Sequence, residues 1–180
     1  EQIVETAYPL VIDVGCAEGY YAVGLARRMP DTIVWARDAN PGAMAACTAL
    51  AATNGVSDRV KVGGILTHAD LGVCAEQRTV LICDIEGAEF DVLNSKVLND
   101  LRGAKIIVEL HDRIMEGGVA LRNALIERLP DGARYRILRS GETLSYNSIE
   151  DLESLSDNDR ALVLSDGRKV FGEWMVIDYP

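Results

Sequence analysis

An apolar run followed by a segment of helical period occurs four times in the first 130 residues, and this alternation most constrains what the chain can fold into. Residues 9–15 read as a strand, followed by a glycine-bearing turn and by Tyr21, Ala22, Leu25, Ala26 and Met29 at helical spacing, closed by Pro30. Residues 32–37 form a β-branched run. Asn40-Pro41 then starts an alanine-rich helix to Asn54-Gly55, with a cap residue, proline at the first helical position and a closing glycine. Residues 59–62 give a weaker strand, and residues 66–78, which have no clear period, a loop or short irregular helix. Residues 79–84 and 104–110 are continuous apolar strands, followed by one helix over 87–100, with Phe90, Leu93, Val97 and Leu98 on one face, and another over 114–129. Repeated βα units predict a parallel sheet covered by helices on both faces.

The rhythm breaks after Gly132. Residues 134–139 and 173–179 read as strands, 148–155 opens like a capped helix, and 157–164 reads as a short helix. No repeat, linker or low-complexity segment divides the chain, and 180 residues suit a core of about 100–200. Residues 1–180 are therefore expected to be a single α/β domain. The chain opens only a few residues before the first strand, so an upstream segment is expected to be missing.

Lys and Arg total 18 against 28 Asp and Glu, and the resulting net charge of -10 repels polyanions. Nucleic acid and anionic membranes are bound through clustered basic side chains, so neither is expected as partner; a neutral or cationic small molecule is. No apolar run approaches the roughly 18 residues of a membrane span. Cys16, Cys47, Cys74 and Cys83 are widely spaced with no CxxC pair, the usage of reduced structural thiols in a cytoplasmic protein. Oligomeric state is not legible.

The first turn carries the chemistry. Asp13 lies near the end of the first strand, Gly15 and Gly19 fall in the turn, and a helix follows at once. Such a turn brings backbone N–H groups and a helix N-terminus close to a ligand. Asp38 closes the second strand 23 residues beyond Gly15, where a carboxylate accepts both hydroxyls of a ribose. The site is thus expected to bind a nucleoside. A dinucleotide fingerprint requires GxGxxG, whereas this turn reads Gly15-Cys16-Ala17-Glu18-Gly19, with acidic Asp13 before it and Glu18 inside it. Carboxylates disfavour a pyrophosphate and favour a cation, which ranks S-adenosylmethionine, with its sulfonium and ammonium groups, above NAD or FAD.

The run DVGCAEGYYAVGLA, residues 13–26, resembles motif I of class I S-adenosylmethionine-dependent methyltransferases. The run CDIEGAEFDVL, residues 83–93, resembles the DVEGAE signature of FkbM-type methyltransferases. Together with Asp38-Ala39-Asn40-Pro41 between them, these motifs make the resemblance specific, and it covers residues 9–112. It implies a single Rossmann-like methyltransferase domain with a mostly parallel, doubly wound sheet and an antiparallel C-terminal strand. It further implies that Asp13, Gly15, Cys16, Ala17, Glu18 and Gly19 surround the methionine part of the cofactor, that Asp38 holds the ribose, that Gly64 and Ile65 contact adenine, and that Asp84 lies beside the sulfonium. The implied reaction is O-methylation of a sugar or polyketide-like hydroxyl. Ala17 departs from the family by replacing the central glycine of GxGxG.

Other residues have plainer readings. Tyr20 and Tyr21 are expected to pack the turn, Cys16 to act as a spacer, and Trp35 and Trp174 to pack the core or an edge. Glu89 is expected to favour its helix N-terminus, and His68 to be merely exposed. Asp84, Glu86, Glu109, His111 and Asp112 fall at the carboxyl edge of the sheet, where open α/β folds bind ligands. An imidazole ordinarily titrates near about 6.5, so His111 is the expected general base; Glu86 is the second candidate or an orienting group. Carboxylates at two successive strand ends resemble catechol O-methyltransferase-like enzymes, which implies a magnesium alternative on Asp84, Glu109 and Asp112, ranked below a metal-free site. The rival functions are an NAD-dependent oxidoreductase and a non-catalytic nucleoside-binding module.

Overall fold

The computed structural model describes residues 2–139, 152, 154–156, 158–160 and 172–179. Among the described residues, seven strands form one sheet: β1 (Leu10–Val14), β2 (Ile33–Arg37), β3 (Val60–Gly63), β4 (Thr79–Cys83), β5 (Lys105–Leu110), β6 (Arg134–Arg139) and β7 (Glu173–Asp178). Their order is β3-β2-β1-β4-β5-β7-β6, and every pairing among the first five is parallel. β7 runs antiparallel to both β5 and β6, so one strand is reversed, as expected for the C-terminal strand. The winding changes direction between β1 and β4, and a crevice at the carboxyl ends of these strands follows.

Strand pleating divides the core into two layers. Leu10 and Ile12 face Phe90, Leu98, Leu101 and Leu125 on one side, while Val11, Val34 and Val80 meet Ala22, Ala26, Cys47 and Ala51 on the other. The helices that supply these residues are α2 (Tyr20–Arg28) and α3 (Pro41–Thr53) on one side, and α5 (Glu89–Val92), α6 (Ser95–Asp100) and α7 (Gly118–Glu127) on the other. α1 (Gln2–Thr6) precedes the first strand, where the sequence pattern gave no element, and packs Ile3 and Val4 against the α2–α3 side. A 3-10 turn at His68–Gly72 and α4 (Val73–Glu76) form the short irregular helix expected over 66–78.

Two helices differ from expectation. The single helix over 87–100 is divided at Asn94, whose side chain accepts from the N–H groups of Lys96 (3.1 Å) and Val97 (3.2 Å) and caps a new helix. Its start is also delayed, because Glu86 (φ 55) and Gly87 (φ 103) are left-handed. The helix over 114–129 shortens to α7 because a 3-10 turn at Asp112–Ile114 intervenes. The four cysteines are free and buried, and burial pushes the Cys16 thiol up to about 12, which suits spacers rather than nucleophiles. The helices expected over 148–155 and 157–164 lie largely outside the described residues.

Candidate active site

The glycine turn is fastened to β2. The N–H groups of Gly15 and Cys16 donate to the Arg37 carbonyl at 2.8 and 3.1 Å. Gly15 has φ +85, and a Cβ there would lie 1.9 Å from the Asp84 carbonyl oxygen, so the ends of β1 and β4 approach closely only because this residue is glycine. Ala17 takes the left-handed conformation (φ 46) and donates its N–H to Asp38 Oδ2 at 3.0 Å; Asp38 Oδ1 accepts from Asn40 N at 2.8 Å. The carboxylate at the end of β2 is thereby fixed between the turn and the start of α3.

A cavity of about 710 Å³ opens beside this turn. Among the predicted residues, Gly15, Ala17, Asp38, Ile65, Asp84 and Glu86 line it. Its one arginine, Arg37, donates Nη1 to the Lys61 carbonyl (2.7 Å) and lies over the Trp35 ring (5.2 Å). Three carboxylates against one engaged arginine give a lining suited to a cation, and the volume is within the roughly 300–1,000 Å³ of small-molecule sites.

The remaining predicted cofactor residues stand back from the lining. Asp13 is fully buried in β1, and burial raises its carboxyl to about 7, with the neighbouring Asp84 and Asp38 adding to the rise and the Ala22 amide opposing it. Cys16 and Gly19 are buried in the turn, Gly19 N–H closing it on the Cys16 carbonyl at 2.7 Å. Glu18 is exposed outside the cavity, and Gly64 precedes Ile65 without joining it there. Tyr20 is 74% exposed, with its ring 5.1 Å from Tyr21, which packs edge-on to Trp174.

At the ends of β4 and β5 the structure assembles a histidine among carboxylates. His111 is buried, and Glu89 Oε1 lies 2.9 Å from its backbone N–H and 3.1 Å from its ring Nδ1. Glu89 Oε2 accepts from Gly87 N at 2.8 Å. Glu89 therefore orients the imidazole as well as serving its own helix start, a role that the 22-residue separation hides from local sequence. His111 Nε2 faces Glu86 Oε2 at 3.5 Å and Asp84 Oδ1 at 3.7 Å. Glu86 is 83% exposed, which suits an orienting group better than a base. Burial, reinforced by the charge and hydrogen bond of Glu109, pushes the Asp84 carboxyl well above its ordinary range, and His111 opposes this.

Of the three residues named for magnesium, Asp112 is unsuited. It is buried, and its carboxylate accepts from Arg122 Nη2 at 2.8 Å, which consumes the charge a cation would need. Among the described residues, the group with metal-binding spacing is Asp84, Glu86 and His111, whose ligand atoms all lie within 4.8 Å of one another. His68 is more than exposed surface. It lines the cavity, and Nδ1 lies 3.1 Å from both Asp100 Oδ2 and Lys96 Nζ, a contact no periodicity announced.

No protein-family model and no curated protein matches this chain. Solved structures do. The cofactor-bound Rv0187 from MTB aligns with TM-score 0.63 at 18% identity over 98% of this chain and 75% of that one. An O-methyltransferase from Bacillus cereus in complex with SAH gives 0.62 at 13% over 98% and 76%. The O-methyltransferase TomG from Streptomyces achromogenes, involved in tomaymycin synthesis and in complex with SAM, gives 0.61 at 12% over 99% and 77%. At these identities the likeness is one of fold, the Rossmann-like fold of these methyltransferases. No described helix is long and apolar enough to cross a membrane.

Proposed function

We propose that the chain is an S-adenosylmethionine-dependent methyltransferase that transfers the methyl group to a hydroxyl of a small molecule. The observation that carries this reading is one cavity joining the glycine turn and Asp38 to Asp84 and Glu86, with His111 Nε2 3.5 Å beyond Glu86. Gly15, Ala17 and Asp38 would hold the nucleoside with Ile65 at its rim, while Asp84 and Glu86 supply negative charge. Asp13, Cys16, Glu18, Gly19 and Gly64 shape the turn and the β3 end from behind. The fit is chemical: Ala17 N–H is already given to Asp38, which removes a donor that a pyrophosphate needs and tells against an NAD-dependent oxidoreductase. When bound, the cofactor supplies an electrophilic methyl group on a sulfonium.

The protein's task is alignment and proton removal. With Nδ1–H donated to Glu89, His111 presents Nε2 as the free base, and the acceptor hydroxyl proton passes there as its oxygen bonds to the methyl carbon. Three carboxylates around the ring, Glu89, Glu86 and Asp84, stabilise the imidazolium that results. With the cofactor bound, the methyl carbon would pass from sulfur to the acceptor oxygen, leaving a neutral thioether and the proton on His111. The likeness of residues 83–93 to FkbM-type enzymes supports a sugar or polyketide-like hydroxyl as the acceptor.

A hydroxyl-acceptor panel with labelled S-adenosylmethionine tests the reading. His111→Ala is expected to lower turnover about 10²–10⁴-fold with cofactor affinity retained. Full turnover in both His111→Ala and Glu86→Gln overturns the base assignment. A thermal shift with NAD but none with S-adenosylmethionine favours the oxidoreductase, and cofactor binding without transfer favours a binding module. The spacing of Asp84, Glu86 and His111 supports a second reading in which a divalent ion binds there; activity unaffected by EDTA removes it.

A further inference from the structure

Part of the cavity lining differs from the carboxylates that the proposed transfer uses. Ile65, Leu66 and Leu71 from the segment after β3, with Val92 and Val97 from α5 and α6, present aliphatic side chains, which suit the faces of a flat ring. The same segments supply three polar side chains, Thr67, His68 and Asn94. Asn94 Oδ1 is spent on the N–H groups of Lys96 and Val97. Thr67 is closed on Asp70, whose Oδ2 takes its N–H at 2.8 Å and its hydroxyl at 2.7 Å, and this closure fixes the start of the 3-10 turn that His68 opens. His68 uses one ring nitrogen only. Nδ1 lies 3.1 Å from both Asp100 Oδ2 and Lys96 Nζ on α6, and Nε2 has no partner among the described residues. A carboxylate only accepts and an ammonium only donates, so Nδ1 either donates to Asp100 or accepts from Lys96. Lys96 Nζ already reaches Asp100 Oδ2 at 3.1 Å, and hydrogen bonds from Lys96 and His68 together hold the Asp100 carboxyl below its usual range. Asp100 thus collects two donors, and Nε2 is left as an acceptor.

We propose that His68 Nε2 accepts a hydrogen bond from the exocyclic amino group of the nucleoside's base, so that His68 selects adenine over hypoxanthine and Asp100 positions it by fixing the tautomer. This rests on the methyltransferase reading above. The amino group of adenine donates where the carbonyl of hypoxanthine only accepts. The wrong base therefore sets two acceptors face to face among aliphatic side chains and leaves both unpaired.

The test compares S-adenosylhomocysteine with S-inosylhomocysteine by calorimetric titration into the full chain at about pH 8, which keeps imidazoles neutral. The expected result is at least about tenfold tighter binding of the adenosyl compound. In His68→Phe, which keeps a ring but neither nitrogen, the preference falls to within about threefold. Asp100→Ala leaves Lys96 to donate to Nδ1, which puts the proton on Nε2, so the preference shifts towards the inosyl compound; a merely structural role of Asp100 would weaken both ligands alike. If His68→Phe does not fold, the wild-type comparison and Asp100→Ala decide the matter. Equal affinities in the wild type, or a preference that survives His68→Phe, overturns the proposal. Tighter wild-type binding of the inosyl compound overturns the acceptor assignment of Nε2. Failure of both homocysteine compounds to bind removes the methyltransferase reading instead, and adenosine against inosine then reads His68 by itself. Absence of binding by all four overturns both.

Discussion

The two halves of the sheet edge are built differently. The β1–β2 half is local: a strand, a glycine turn and a carboxylate at the next strand end, tied by Gly15 and Cys16 N–H to Arg37 O and by Ala17 N–H to Asp38. The β5–β7 half is assembled from distant chain. Glu89 reaches His111 across 22 residues, and Arg113 and Arg122 reach Glu173 across 60 and 51. A ligand recognised through backbone needs a fixed turn, whereas one recognised through side chains needs a cluster of residues, which folding brings from wherever the sheet places them.

Backbone substitutions separate the halves most severely. Gly15→Ala places a Cβ 1.9 Å from the Asp84 carbonyl oxygen at a left-handed residue, and Gly118→Ala places one 1.7 Å from the Asp112 carbonyl oxygen. Each is expected to cost about 3 kcal/mol or more in chemical denaturation. Gly15→Ala should abolish S-adenosylmethionine binding as well, while Gly118→Ala leaves that affinity within about threefold. Equal loss of cofactor affinity in both would show that the halves are one unit.

The next effect concerns the histidine. Glu89→Gln keeps the size of a fully buried side chain but removes the negative charge beside the imidazole and sets an amide NH2 against the N–H of either His111 or Gly87, which disturbs the orientation of the ring. Turnover at saturating cofactor is expected to fall about 100-fold, or about 2.7 kcal/mol, with S-adenosylmethionine affinity unchanged. An unchanged turnover would reduce Glu89 to a structural cap.

Legibility in the sequence follows the same division. The βα alternation and the parallel sheet follow from local periodicity and the turn with Asp38 from the known spacing of two successive strand ends, whereas the reversed last strand is implied only by the family resemblance. Glu89 read as a helix-terminus acid because its partner His111 lies just past the end of β5, and Asp112 read as a metal ligand because its partner Arg122 lies on α7. His68 sits in a segment without period, so neither its place on the cavity nor its Asp100 contact had a local signal.

The halves also titrate in opposite senses. Burial raises Asp13 from 3.8 to about 7, and between these values the folded chain holds a proton that the unfolded chain lacks. Stability is therefore expected to fall by about 2 kcal/mol as pH rises from about 5.5 to 8. Asp84 adds to this in the same direction. At Glu173 burial alone would raise the carboxyl, but hydrogen bonds from Arg139 and Arg122 outweigh it and hold the group below its ordinary 4.5. That contribution is present at neutral pH and is lost as pH falls below about 4.5. Urea denaturation across this range checks both limbs. Asp13→Asn should make the upper limb shallower, leaving Asp84's share, without moving the lower limb, and a stability that rises between pH 5.5 and 8 would contradict the burial of Asp13 as a cause.

The smallest effect lies where the local pattern misled. The apolar spacing of Phe90, Leu93, Val97 and Leu98 fits a continuous helix, yet Asn94 divides it by capping α6 through Lys96 N and Val97 N. Asn94→Ala removes that cap and is expected to cost about 1 kcal/mol in denaturation. Asn94 also lines the cavity, but its Oδ1 is turned to the two backbone N–H groups, so S-adenosylmethionine affinity should change by less than about threefold. A gain in stability would mean that the left-handed pair Glu86-Gly87, rather than the cap, sets where the helix divides, and that Asn94 is kept at the cavity for its ligand.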